Sequence, residues 1–232
     1  MDFSARSTQT ELMDTEATDA ADFARCLADL ATVNVVTLAA RPTMDWLART
    51  TATMPRGAGF SLLDVGFGHG DMLRAIHRWA GRRGLAARLA GIDLTPQSTA
   101  AAQAATPAAM DIAFITGDVL TYRPEQPPDF IISSLFTHHL SDADVARFLA
   151  WMEATAVRGW MVNDLHRNAF AYHGFALLAR LAGWHRFVRH DGPVSIARSF
   201  RRADWERLLR QAGVPGRILW RFPFRYCVER LR

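Results

Sequence analysis

The spacing of apolar positions changes character near residue 59. Before it, Phe23, Leu27, Leu30, Val33 and Leu38 recur at roughly helical spacing and predict a helix from about Thr18 to Ala40. Arg41-Pro42 interrupts it, and Pro42 suits the first turn of a second helix with Trp46 and Leu47 inward. Residues 1–9 show no such period and read as a loose tail, and "PRGAG" (55–59) reads as a linker. After it, short apolar runs alternate with helical stretches. Strands are predicted at 60–66, 87–93, 111–118, 129–135 and 159–165, with helices at 70–83, 95–105 and 142–156. Such alternation implies an α/β fold with a doubly wound, mostly parallel sheet. A helix at 168–182 follows, then the loop "HDGPVSIARSF", a helix at 203–212 ending at Gly213, and two closely spaced strands, "RILWRF" and "RYCVERL". Those two strands read as a C-terminal antiparallel hairpin and bring the sheet to seven strands. The division expected is an N-terminal helical cap over 1–57 and an α/β domain over 58–232. A lid insertion at about 166–200 and the cap are placed to cover a site.

Composition narrows the function classes. Half of the 232 residues are hydrophobic, enough for a sizeable core. All 27 basic residues are Arg, and residues 151–232 hold fifteen of them against six acids. Such an excess could serve a nucleic-acid or anionic-surface partner. The arginines are scattered among apolar residues, so a solvated surface with no nucleic-acid partner is expected. Cys26 and Cys227 are far apart and form neither a metal-ligand spacing nor a disulfide framework. The polar start "MDFSARSTQTELMD" has no signal-like apolar region, and no window reaches the length of a membrane span, so a cytoplasmic protein is expected.

The chemistry begins at "LLDVGFGHGDMLRAI" (62–76), a buried strand running through a glycine turn into a helix. In doubly wound sheets, ligands sit beyond the carboxyl ends of the strands. Gly66, Gly68 and Gly70 do not keep the dinucleotide spacing, and Asp64 and Asp71 would repel a pyrophosphate. A cationic ligand suits such a loop. Asp93 ends the second strand and could accept both hydroxyls of a ribose, while Asp118 ends the third, where an acid can take an adenine amino proton.

With these residues in order, "LDVGFGHG", "GIDLT", "TGDVL" and "DFIISSLFTHHL" resemble the successive motifs of class I S-adenosylmethionine-dependent methyltransferases over about residues 58–165. The resemblance implies a Rossmann-like fold with S-adenosyl-L-methionine as cofactor. Gly66, Gly68 and Gly70 would let the backbone approach its methionine part, and Asp64 would hold its ammonium. Asp93 would bind the ribose hydroxyls, with Leu94 near the adenine. Asp118 and the Val119 N–H would bind the adenine edge, and Leu135 would lie beside the reactive methyl.

Methyl transfer to a hydroxyl benefits from a base near neutral pH, and His is the natural one. His138 and His139 follow the fourth strand, where adjacent residues should face different ways, so at most one should point inward. His166 follows the fifth strand beside Asp164, which is placed to orient a His. His173 lies on the insertion, and His69 in the glycine loop reads as a loop residue or cofactor contact. No metal site is expected, since Asn163 and Asp164 lack a convincing third ligand. The segments around 163–178 and 190–205 also resemble small-molecule methyltransferases of bacterial natural-product pathways. That implies O-methylation of a phenolic or quinone-like acceptor, with Phe170, Tyr172, Phe175, Trp184 and Phe187 as pocket candidates. C-methylation of the ubiquinone/menaquinone type stays open, as does a non-catalytic cofactor-binding or RNA-associated protein on the same fold. The reading is compatible with a homodimer.

Overall fold

The computed structural model describes residues 2–15 and 20–232. The expected helix start at Thr18 lies outside the described residues, as does the Phe23 side chain. A short helix α1 (Leu12–Thr15) precedes α2 (Ala20–Val36) and α3 (Arg41–Thr50). The sheet then begins with β1 (Gly59–Val65), followed by α4 (Asp71–Arg83), β2 (Ala86–Asp93), α5 (Pro96–Ala105), β3 (Ala113–Thr116) and β4 (Phe130–Ser134). After α6 (Asp142–Thr155) and β5 (Gly159–Leu165) come α7 (Ala169–Leu181), α8 (Arg186–Arg198) and α9 (Arg202–Ala212). β6 (Arg217–Arg221) and β7 (Arg225–Leu231) close the chain as the expected hairpin.

The seven strands form one sheet in the order β3-β2-β1-β4-β5-β7-β6. Pairing is parallel from β3 through β5 and antiparallel at β5–β7 and β7–β6. The chain leaves β1 in one direction for β2 and later returns on the other side as β4. This reversal opens a crevice at the carboxyl ends of β1 and β4.

Alternation along β1 feeds both faces of the sheet. Phe60 and Leu62 join a cluster with Trp46, Leu47, Leu73 and Ile76, under α3 and α4. Leu63 and Val65 join a cluster with Phe148, Met152 and Trp205, under α6 and α9. Trp46 and Leu47 are fully buried, and burying a leucine contributes on the order of 2 kcal/mol. A third, smaller cluster of Cys26, Val33, Ala179, Trp184, Phe187 and Val188 joins α2 to α7 and α8.

The structure departs from the sequence reading at three places. The third strand is short, Ala113–Thr116 instead of 111–118, because Asp111 adopts a left-handed φ of 47° and Gly117 follows. The "HDGPVSIARSF" segment belongs to helix α8, despite Gly192 and Pro193. Its buried residues Phe187, Val188, Val194 and Ile196 pack on neighbouring elements, and that tertiary burial overrides two local breakers. The expected loose tail is tied down. Arg6 donates to the backbone carbonyls of Arg198, His138 and Leu140, pairs with Asp142 at 2.6 Å, and lies 4.2 Å above the Phe200 ring.

Candidate active site

The glycine loop leaves β1 at the reversal point. Gly66 has φ +74°, and a Cβ there would come within 2.7 Å of the Phe136 ring. Gly68 has φ +53° and faces open space, so its backbone is bare toward the crevice. Asp93 braces this loop: one carboxylate oxygen accepts the Gly68 N–H at 3.0 Å and the other the Thr95 N–H at 2.9 Å. Each oxygen keeps acceptor capacity for a hydroxyl. Leu94 is exposed just beyond. Asp118 is exposed and accepts the Leu120 N–H, and Val119 is buried.

Asp64 is 2% exposed, and among the described residues none donates a hydrogen bond to its carboxylate. Burial first, then Asp71 and Asp93, push its pKa well above the ordinary carboxylate range. A buried carboxylate of this kind calls for a cation. It lines a cavity of about 600 Å³ together with Gly66, Gly68, His69, Leu135 and His138. A ligand with an ammonium or sulfonium and no phosphate fits these residues.

At the end of β4, Leu135 holds a left-handed φ of 56°, with its N–H donating to the Asn163 carbonyl at 2.9 Å. Strain of this type concentrates at functional sites. The chain then makes a 3₁₀ turn, Thr137–His139. There the fully buried Asp164 gathers its partners. It accepts the Thr137 hydroxyl, the His138 backbone N–H at 3.0 Å and the Leu165 N–H at 2.7 Å, and it sits 2.8 Å from His138 Nδ1. Burial alone would raise its pKa, but the His138 charge and these hydrogen bonds hold it down at about 2. In the neutral form of His138, an ionised Asp164 keeps the ring proton on Nδ1 and leaves Nε2 as the acceptor.

The sequence places Asp164 to orient a His, with His166 its neighbour along the chain; in the structure the His it meets is His138. The Asp164 oxygens are taken by Thr137, His138 and Leu165, and none of them meets the His166 ring. His166 stands against Tyr226 and Phe224, accepts from Trp220 Nε1 at 3.3 Å, and does not line the cavity. The structure also differs over the paired histidines. In the 3₁₀ turn, the His138 and His139 rings lie 4.4 Å apart, and both line the cavity. His173 packs on Tyr172 and lines a separate cavity. Of the aromatic candidates, Phe170 and Phe175 reach the site cavity, whereas Trp184 and Phe187 are core residues. Much of its wall is aliphatic, from Leu27, Leu30, Val33, Leu165 and Ile196.

Sequence reasoning missed Glu11 altogether. It is buried and places Oε1 3.8 Å from His138 Nε2 and 3.9 Å from His139 Nδ1. One ligand-type atom from each of these three residues lies within 4.8 Å of the others. The same Glu11 oxygen accepts the Ser195 hydroxyl at 2.8 Å and sits 3.8 Å from Arg198 Nη1, so its charge is already matched. Nothing in "TQTELMD" signals this placement, which depends on Asp191 receiving the Leu12 and Met13 N–H groups.

Comparison with known proteins agrees with this geometry. Residues 62–159 match a family described as a methyltransferase domain. This region is a methyltransferase domain, and with the fold it supports a class I S-adenosylmethionine-dependent methyltransferase. The chain is 32% identical over 166 residues to a trans-aconitate 2-methyltransferase of Streptomyces avermitilis, covering 67% of this chain and 58% of that protein. It therefore spans under two thirds of the length of this curated relative. Its fold matches a SAM-dependent methyltransferase from Aquifex aeolicus at TM-score 0.63 and 16% identity, covering 92% and 98% of the two chains. It also matches a magnesium protoporphyrin IX methyltransferase from Synechocystis, solved with bound SAH, at TM-score 0.56 and 15% identity, covering 84% and 82%.

Proposed function

We propose that this chain methylates an oxygen of a small, largely apolar acceptor, with S-adenosylmethionine as donor and His138 as general base. The observation that carries the reading is the buried Asp164–His138 pair on the wall of a cavity that also holds Asp64 and the glycine loop. When bound, the cofactor supplies a methyl activated by its sulfonium. Asp64 meets the ammonium, the bare backbone at Gly66, Gly68 and Gly70 admits the methionine part, and Asp93 takes the ribose hydroxyls. Leu94, Asp118 and Val119 hold the adenine side, and Leu135 borders the methyl position.

His138 Nε2 takes the acceptor's hydroxyl proton, and Asp164 stabilises the imidazolium that results. The aliphatic wall excludes water and orients the acceptor oxygen. Glu11, beside Nε2, offers the proton a route onward. His139 flanks this path, and His166 has no part in it. The aliphatic wall widens the expected phenolic or quinone-like acceptors to any apolar body carrying a hydroxyl.

The test is methyl transfer from labelled S-adenosylmethionine to a panel of weakly acidic phenols. His138→Gln should lower kcat about a hundredfold. S-adenosylhomocysteine affinity should stay unchanged, and the rate should recover at high pH as the phenol ionises unaided. Wild-type rates in His138→Gln at neutral pH would remove the base assignment.

A further inference from the structure

Arg225 opens β7 opposite Leu165 of β5, and it lines the same cavity. It is 2% exposed. Its Nη2 donates to the Thr37 hydroxyl at 3.2 Å, but Nε and Nη1 have no hydrogen-bond partner among the described residues. A guanidinium stays charged in proteins, so this is a buried cation with donors unmet.

Arg167, also buried, shows how differently this fold treats such a group. Arg167 donates to the carbonyls of Phe3, Ser199 and Ser4 and pairs with Asp204 at 3.0 Å. Glu229, on the same face of β7 as Arg225, is likewise matched by Arg49 at 2.9 Å. Asp164 is the acid whose charge acts on Arg225, yet no hydrogen bond joins them. Its oxygens are taken by Thr137, His138 and Leu165. Burial strips these charged donors of water and no described residue replaces it, so Arg225 calls for an anion from the cavity.

The surroundings specify which anion. Asp64 and Glu11 share the cavity, and Asp164 lies behind His138, so a doubly charged group would be repelled. The wall is mainly apolar, and Phe170 and Phe222 are exposed at its edge. A singly charged group on an apolar body meets both conditions. We propose that Arg225 anchors a carboxylate of the acceptor, so that the substrate class is an apolar carboxylic acid. This rests on the methyltransferase reading and narrows its substrate. Arg225 is a positioning residue, and the carboxylate sets the pose of the acceptor at His138.

The experiment titrates the full chain, saturated with S-adenosylhomocysteine, with 3-hydroxy-2-naphthoate, 4-hydroxybenzoate and decanoate, each against its neutral carboxamide. At least one acid should bind tenfold or more tightly than its amide. Arg225→Gln should bring that pair to within twofold, and Arg225→Lys should keep part of the preference. Equal binding of acid and amide by the wild type would overturn the proposal. So would a preference that survives in Arg225→Gln, or no binding by any of the acids. If Arg225→Gln fails to fold, Arg225→Met takes its place, and the wild-type comparison still decides. A failed S-adenosylhomocysteine titration would sink the methyltransferase reading by itself, because the acid–amide comparison can be repeated without it.

Discussion

Asp64 and Asp164 are both buried carboxylates at strand ends, and their environments drive them in opposite directions. Asp164 collects donors, and its pKa falls to about 2. Asp64 collects burial and two acidic neighbours, and its pKa rises. A raised carboxylate costs stability once pH climbs above its unfolded value, so at neutral pH Asp64 is a burden that a cationic ligand relieves. Asp64→Asn should therefore keep or raise the thermal stability of the ligand-free protein. It should also weaken S-adenosylhomocysteine binding roughly ten- to a hundredfold, because the charged acceptor is lost. Thermal unfolding with and without the ligand reads both. A variant that loses stability and keeps full affinity would contradict the ammonium assignment.

The glycine loop was legible from the sequence because its signal is local: a buried strand, three glycines and a helix within a short stretch. Helix α8 was not, because Gly192 and Pro193 are local breakers and the packing that overrides them comes from distant elements. The N-terminal strap was hidden for a similar reason. Arg6 is one arginine among 27, and its partners lie on α6, α8 and the 137–139 turn. Helix α7 is packed thinly: Ala179 is its one buried residue, and Phe170, Leu177 and Leu181 are exposed. Elements that open come from the low-stability end of a fold. Amide exchange in α7 should slow when S-adenosylhomocysteine and an acceptor bind. Equal protection in the free and bound protein would contradict a lid at residues 166–200.

Across the molecule, acid sensitivity should follow Asp164. Its folded pKa of about 2 lies below the ordinary 3.8, so its contribution is fully present above about pH 4 and is lost as pH falls toward 2. That difference corresponds to about 2 kcal/mol at neutral pH. Asp164→Asn should cost at least that much at pH 7, and the gap to wild type should narrow between pH 4 and pH 2. Urea unfolding across this range measures it, and a gap independent of pH would show that Asp164 acts through packing alone.

The α/β alternation, the order of the strands along the chain, the glycine turn and the strand-end acids follow from local spacing, since each depends on residues within one strand–turn–helix unit. The partner of Asp164, the burial of Glu11 and the unmet donors of Arg225 belong to tertiary structure alone. Each joins residues from separate elements: β5 with the 137–139 turn, the N-terminal strap with α8, and β7 with the cap. A charged residue has the same letter whether it meets water, a partner or a cavity, and only the assembled sheet and its covering helices decide which.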